Sequence, residues 1–111
     1  MERIKYSDVI KNEITELRGI INNLSVEFTK DVENMAGLIY ETLVNNGCIF
    51  FCGNGGSCSQ SQHLAAEFSG KYSKNRKPLK ALALTSDTAV ISCVGNDYGY
   101  KYIFSRQNTN R

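Results

Sequence analysis

Cys48-Ile49-Phe50-Phe51-Cys52-Gly53-Asn54-Gly55-Gly56-Ser57 is an unbroken apolar run that ends in a glycine-rich turn. A strand with one wet face alternates apolar and polar residues. An unbroken run fits a parallel strand covered on both faces. Residues 48–52 are therefore expected to form a parallel strand of an α/β fold. The turn opens a helix, expected over about residues 57–72, with Leu64, Ala65 and Phe68 on its buried side. A helix start presents unpaired N–H groups and a partial positive charge. Gly53, Gly55 and Gly56 let the backbone bend sharply and approach a ligand closely, and Ser57 adds a hydroxyl. This combination suits anions and sugar hydroxyls. Two better-known phosphate turns are excluded. The chain has no Gly-x4-Gly-Lys-Ser/Thr string, and its glycines do not make Gly-x-Gly-x-x-Gly.

On the helix after the turn, His63 and Glu67 stand four residues apart and share a face. Such a pair can offer an imidazole nitrogen and a carboxylate oxygen to one metal ion. Glu67 can instead serve as a general base. Spacing alone fits a plain His–Glu contact on a helix surface equally well. The glycine bend and the pair are expected to face one cavity. Cys58, at the helix start, is a candidate reactive thiol. A second polar group, Asn96-Asp97, sits in an expected turn over residues 95–99. It suits either sugar hydroxyls or a simple Asx turn.

Working outward, residues 74–78 read as a loop around Pro78, the one proline. Residues 79–84 read as a second strand. Residues 89–94 are ambiguous, because β-branched content favours a strand and Ser86-Asp87 favours a capped helix. Residues 100–106 read as helical and the polar 107–111 as an unordered tail. Upstream, Ile10, Ile14, Leu17, Ile21 and Leu24 recur at helical spacing. A second stripe, Phe28, Val32, Met35, Ile39 and Leu43, follows a cap at Ser25 or Thr29 and stops at Asn45-Asn46-Gly47. These stripes predict a helical hairpin or a helical bundle between subunits. The division expected is 1–46 for the helices and 47–111 for the α/β part.

Composition bounds the rest. With 111 residues, 41% hydrophobic and 22% charged, the chain has an ordinary globular balance. A net charge of +2 is too small to argue for nucleic acid. Lys71, Lys74, Arg76, Lys77 and Lys80 form a local cluster, either a solvated loop or a patch for anionic substrates. No apolar run is long enough to span a membrane, and Met1-Glu2-Arg3-Ile4-Lys5 lacks a signal-peptide core. The expected compartment is the cytoplasm, with the four cysteines reduced. Cys48, Cys52 and Cys93 are expected to be small buried hydrophobes.

Four strings together resemble the phosphoheptose isomerases of the SIS (sugar isomerase) fold. They are Gly53-Asn54-Gly55-Gly56-Ser57, residues 62–67 (Gln-His-Leu-Ala-Ala-Glu), residues 92–99 (Ser-Cys-Val-Gly-Asn-Asp-Tyr-Gly) and residues 103–107 (Ile-Phe-Ser-Arg-Gln). The resemblance is close over about 47–107 and looser over the N-terminal helices. It implies a three-layer α/β sandwich with a central parallel sheet, incomplete here, assembled as a homotetramer. It implies conversion of sedoheptulose 7-phosphate to D-glycero-D-manno-heptose 7-phosphate, an early step towards bacterial heptose and lipopolysaccharide. It implies that Asn54, Gly55, Gly56, Ser57, Glu67, Asn96 and Asp97 contact substrate. His63 and Glu67 would bind zinc, and Glu67 would be the catalytic base. The family continues with a Ser/Thr-rich phosphate loop, then a glutamine and a second histidine. None of these is in this chain, whose one histidine is His63. The chain alone is expected to have little isomerase activity. The alternative is a non-catalytic SIS protein that binds a partner or joins oligomers through its helices.

Overall fold

A computed structural model of the chain describes residues 3–109. Two helices come first, α1 (Tyr6–Asn22) and α2 (Val26–Val44). Ser25, not Thr29, caps α2: its Oγ accepts from the Phe28 N–H at 3.2 Å. The apolar stripe of α1 is exposed along its length, as are Phe28, Val32 and Met35 of α2. Helix α2 ends in a Schellman arrangement. The Gly47 N–H donates to the Thr42 carbonyl at 2.8 Å and the Asn46 N–H to Leu43 at 3.1 Å. Asn46 takes the left-handed position, with φ 65°. The chain divides into two compact units at Leu38 and Ile39, within α2.

In the second unit, strand β1 (Ile49–Phe51) pairs in parallel with β2 (Ala81–Ala83), with Ile49 opposite Ala81 and Phe51 opposite Ala83. Both strands are shorter than the runs that encode them, and among the described residues they pair with each other in a two-stranded sheet. The Ile49 N–H still reaches the Lys80 carbonyl at 2.9 Å, and the Leu84 N–H reaches Phe51 at 2.8 Å. Helix α3 (Gly56–Ser69) packs across both strands. The core is small: Ala65, Ala81, Leu84, Val94 and Ile103 are buried. Cys52 and Cys93 are exposed and Cys48 is half-buried, which corrects the expectation of buried thiols. Cys52 lies past the end of β1, and Cys93 lies on the open side of helix α4.

Helix α4 (Thr88–Asp97) settles the ambiguous segment. The Asp87 carboxylate accepts from the Val90 N–H at 3.1 Å, and this cap outweighs the β-branched preference of Val90 and Ile91. The helix also takes in residues 95–97, which were expected in a turn. The segment after Gly99 is not one helix but a 3-10 turn (Tyr100–Tyr102) and a short α5 (Ser105–Asn108). Gln107 is ordered, contrary to the expected loose tail. Its Nε2 donates to the carbonyls of Leu84 and Ile103, each at 2.8 Å. Residues 110–111 of that tail lie outside the described residues. Among the described residues, no helix is long and apolar enough to cross a membrane.

Candidate active site

The bend between β1 and α3 is built from backbone. Gly55 is the N-cap of α3 with φ 57° and ψ −121°, a conformation that side chains resist. The Ser57 N–H donates to the Asn54 carbonyl and the Cys58 N–H to the Gly55 carbonyl, both at 3.0 Å. A Cβ at Gly53 would fall 2.5 Å from Ser57 Cβ and 2.9 Å from the Ser57 carbonyl carbon and oxygen. The helix start is thus folded directly onto the strand end. Beside it lies a recess of ≈ 130 Å³ lined by Gly53, Asn54, Gly55, Cys58, Thr85 and Tyr100, among others. The Tyr100 hydroxyl donates to Asn54 Oδ1 at 2.6 Å. Gly56 and Ser57, in the first turn of α3, are exposed beside this recess.

His63 and Glu67 meet on α3, with Nε2 and Oε1 3.1 Å apart. The imidazole is 74% exposed and the carboxylate 28%. They line a second, wider recess of ≈ 490 Å³ with Leu64, Phe68, Arg76 and Leu79. The expectation of one cavity for bend and pair is therefore not met within this chain. The reason is helical geometry. At about 100° per residue, His63 points about 140°, and Glu67 about 180°, away from Cys58, which faces the bend.

The turn of α3 that carries Glu67 is held by Arg76. Its Nη2 donates to the Glu67 carbonyl at 2.7 Å, and its Nη1 to Phe68 at 2.9 Å and to Gly70 and Lys77 at 3.2 Å. Lys80 is committed likewise, donating to Asn46 Oδ1 at 2.7 Å. Two members of the basic cluster are therefore structural.

Asn96 and Asp97 occupy the last turn of α4, exposed, and neither lines the glycine recess. Asn96 Nδ2 donates to Asp97 Oδ1 at 3.0 Å, and the Cys93 thiol approaches Asp97 Oδ2 at 3.4 Å. The hydrogen bond to Asp97, then its negative charge and a little desolvation, raise the Cys93 thiol pKa; Arg106 opposes them. Removing the carboxylate must lower that pKa and enlarge the thiolate fraction. Asp97→Asn is therefore expected to speed alkylation of Cys93 by iodoacetamide at pH 8, followed by mass spectrometry of the Cys93 peptide. An unchanged rate would show that Asp97 does not control the thiol.

For zinc, an imidazole nitrogen beside a carboxylate oxygen is suitable donor chemistry. The donor count is not: among the described residues, no group of three or more His, Cys, Asp or Glu side chains comes together. Among the described residues, His63 and Glu67 would supply two ligands of a four-coordinate site. Sequence reasoning missed Tyr100, Arg76 and Gln107, because each acts on a partner distant in the chain or on backbone carbonyls that leave no pattern.

A parallel strand pair, a glycine bend and a helix laid across both strands make an α/β arrangement with a ligand-sized bend at the strand end. The SIS domain family matches residues 14–111, and the chain belongs to it. It is 48% identical over 103 residues to the phosphoheptose isomerase of Akkermansia muciniphila, covering 91% of this chain and 53% of that protein. Phosphoheptose isomerase 1 of Campylobacter jejuni is 50% identical over 76 residues, covering 68% of this chain and 41% of that one. The solved phosphoheptose isomerase from Francisella tularensis superposes with a TM-score of 0.82 at 31% identity, over 94% of this chain and 55% of that one. The one from Neisseria gonorrhoeae gives 0.76 at 33%, over 93% and 53%. The chain thus spans about half the length of the relatives it matches, and its sheet is a part of theirs.

Proposed function

We propose that this chain carries the first half of the site of a sugar-phosphate isomerase, one that interconverts sedoheptulose 7-phosphate and D-glycero-D-manno-heptose 7-phosphate. The observation that carries this reading is the 48% identity, across 91% of the chain, to a phosphoheptose isomerase. The chemistry is a proton shift between adjacent carbons through an enediol. In this reading Glu67 moves that proton. Asn54 and the N–H groups of Gly55 and Gly56 hold the sugar oxygens, Ser57 adds a hydroxyl, and Asn96 and Asp97 contact the sugar. Donors fixed before the reaction stabilise developing oxygen charge without reorganising. His63 and Glu67 would supply two of the ligands of a zinc ion, which when bound would polarise the carbonyl or order the site. The compartment is the cytoplasm, and the assembly is a homotetramer. The exposed apolar faces of α1 and α2 support the assembly.

Phosphate binding supplies energy that positions the reacting end of a substrate. The resemblance identifies no serine- or threonine-rich phosphate loop among the described residues, so these residues alone are proposed to turn over little. An assay with sedoheptulose 7-phosphate, read by proton NMR, should show little or no interconversion by this chain. Turnover matching that of an intact relative would refute the half-site. One observation favours a second reading, a non-catalytic SIS protein that binds a partner: the bend and the His63–Glu67 pair open into different recesses. Titration with sedoheptulose 7-phosphate separates the two. Shifts in the Gly55 and Gly56 amide resonances support the isomerase site, and silence there supports the binding protein.

A further inference from the structure

Forty-six positions separate Asn54 from Tyr100, yet the phenol oxygen sits 2.6 Å from Asn54 Oδ1. That is a short hydrogen bond between two neutral groups. Tyr100 is brought there by two features of the fold. Gly99 takes φ 107°, which turns the chain back after α4, and the 3-10 turn Tyr100–Tyr102 is seated by Ile103, only 2% exposed. Both partners of the bond line the recess beside the glycine bend.

A carboxamide has one oxygen that accepts and one nitrogen that donates twice. With Oδ1 occupied by the phenol, the free end of Asn54 is its NH₂ group. We propose that Tyr100 is a positioning residue: it fixes the Asn54 carboxamide so that its two N–H donors, beside the backbone N–H groups at the start of α3, receive the oxygens of a sugar phosphate. Without the phenol, the amide rotates about χ2 and presents its oxygen as readily as its nitrogen. A ligand oxygen then meets an acceptor half the time. The inference rests on the isomerase reading above and adds a residue that touches Asn54 and acts through it.

The test uses the full chain, labelled with 15N, and sedoheptulose 7-phosphate as the probe. Tyr100→Phe removes one oxygen and leaves the ring. Its Asn54 side-chain resonances are expected to move towards those of a solvent-exposed asparagine amide, while the backbone spectrum stays dispersed. The dissociation constant is expected to rise at least threefold. Asn54→Asp keeps the acceptor for Tyr100 and abolishes the donors, so it should lose binding although it preserves the latch. In an Asn54→Ala background, Tyr100→Phe should have no further effect, because the group it positions is gone. A role confined to packing would weaken both backgrounds equally. Unchanged affinity in Tyr100→Phe, equal losses in the two backgrounds, or wild-type binding by Asn54→Asp would each overturn the proposal while leaving the isomerase reading standing. Absence of any binding to the wild-type chain would overturn that reading, and this role with it.

Discussion

Gly53→Ala is expected to destabilise the second compact unit by about 2–4 kcal/mol, at and above the top of the usual range of about 1–3 kcal/mol for overpacking, because the atoms it meets cannot yield. The added methyl would sit 2.5 Å from Ser57 Cβ and 2.9 Å from two backbone atoms of Ser57. A flexible side chain could swing away; backbone in the first turn of α3 cannot. Relief requires lifting the helix start off the strand end. That would open the bend and loosen the packing of α3 across β1 and β2. In thermal denaturation, the midpoint should fall by roughly 10–25 °C for a unit of this size. Neighbouring glycines provide the controls. Gly55→Ala meets no atom within 4 Å but must hold φ 57°, so it should cost about 1–3 kcal/mol through strain alone. Gly56→Ala meets nothing, lies in the helix, and should stabilise by about 0.5–1 kcal/mol. The expected order is therefore a large loss at 53, a moderate loss at 55 and a small gain at 56. Equal effects at 53 and 56 would show that the close approach of strand and helix is not what requires glycine.

The second large effect is expected at Arg76. Its guanidinium donates to four carbonyls, those of Glu67, Phe68, Gly70 and Lys77. Three of these belong to the last turns of α3 and its C-cap, where carbonyls lack helical partners and the helix end carries partial negative charge. Arg76→Ala leaves them to water and removes a favourable charge. A loss of about 1–2 kcal/mol is expected, toward the lower end for charge-assisted bonds because the group is exposed. Arg76→Lys should not recover it, since an ammonium cannot reach four carbonyls spread around a planar fork. Urea denaturation of the two variants gives the answer. Amide hydrogen exchange around Glu67 should also speed up in both, because the turn that carries this carboxylate loses its clamp. Full stability in Arg76→Lys would mean that charge, not fork geometry, holds the helix end.

Much of the local structure was legible before any coordinates. Strand β1, the bend and α3 follow from an apolar run that ends in glycines. The stop at Asn45-Asn46-Gly47 and a cap at Ser25 or Thr29 follow from residues that satisfy the free groups at helix ends, and the bond from the Phe28 N–H chose Ser25. The His63–Glu67 contact follows from a spacing of four. Residues 89–97 show where such reasoning divides. Propensity and capping pointed in opposite directions, and the hydrogen bond from the Val90 N–H to Asp87 decided for helix. The expected turn at 95–99 failed because Asn96 and Asp97 complete the last turn of that helix, even though their composition is that of a loop.

The amino-acid order by itself determined the α/β class, because that depends on periodicity and on short-range spacing along one element; the family was legible through four strings that resemble it, and the same strings supplied the candidate polar groups. Tertiary structure alone decided which of those groups meet. It placed the bend and the His63–Glu67 pair over different recesses, since the angle around α3 matters more than nearness along it. It brought Tyr100 to Asn54 and Gln107 to the end of β2, since contacts between distant residues arise only once the sheet and helices have packed.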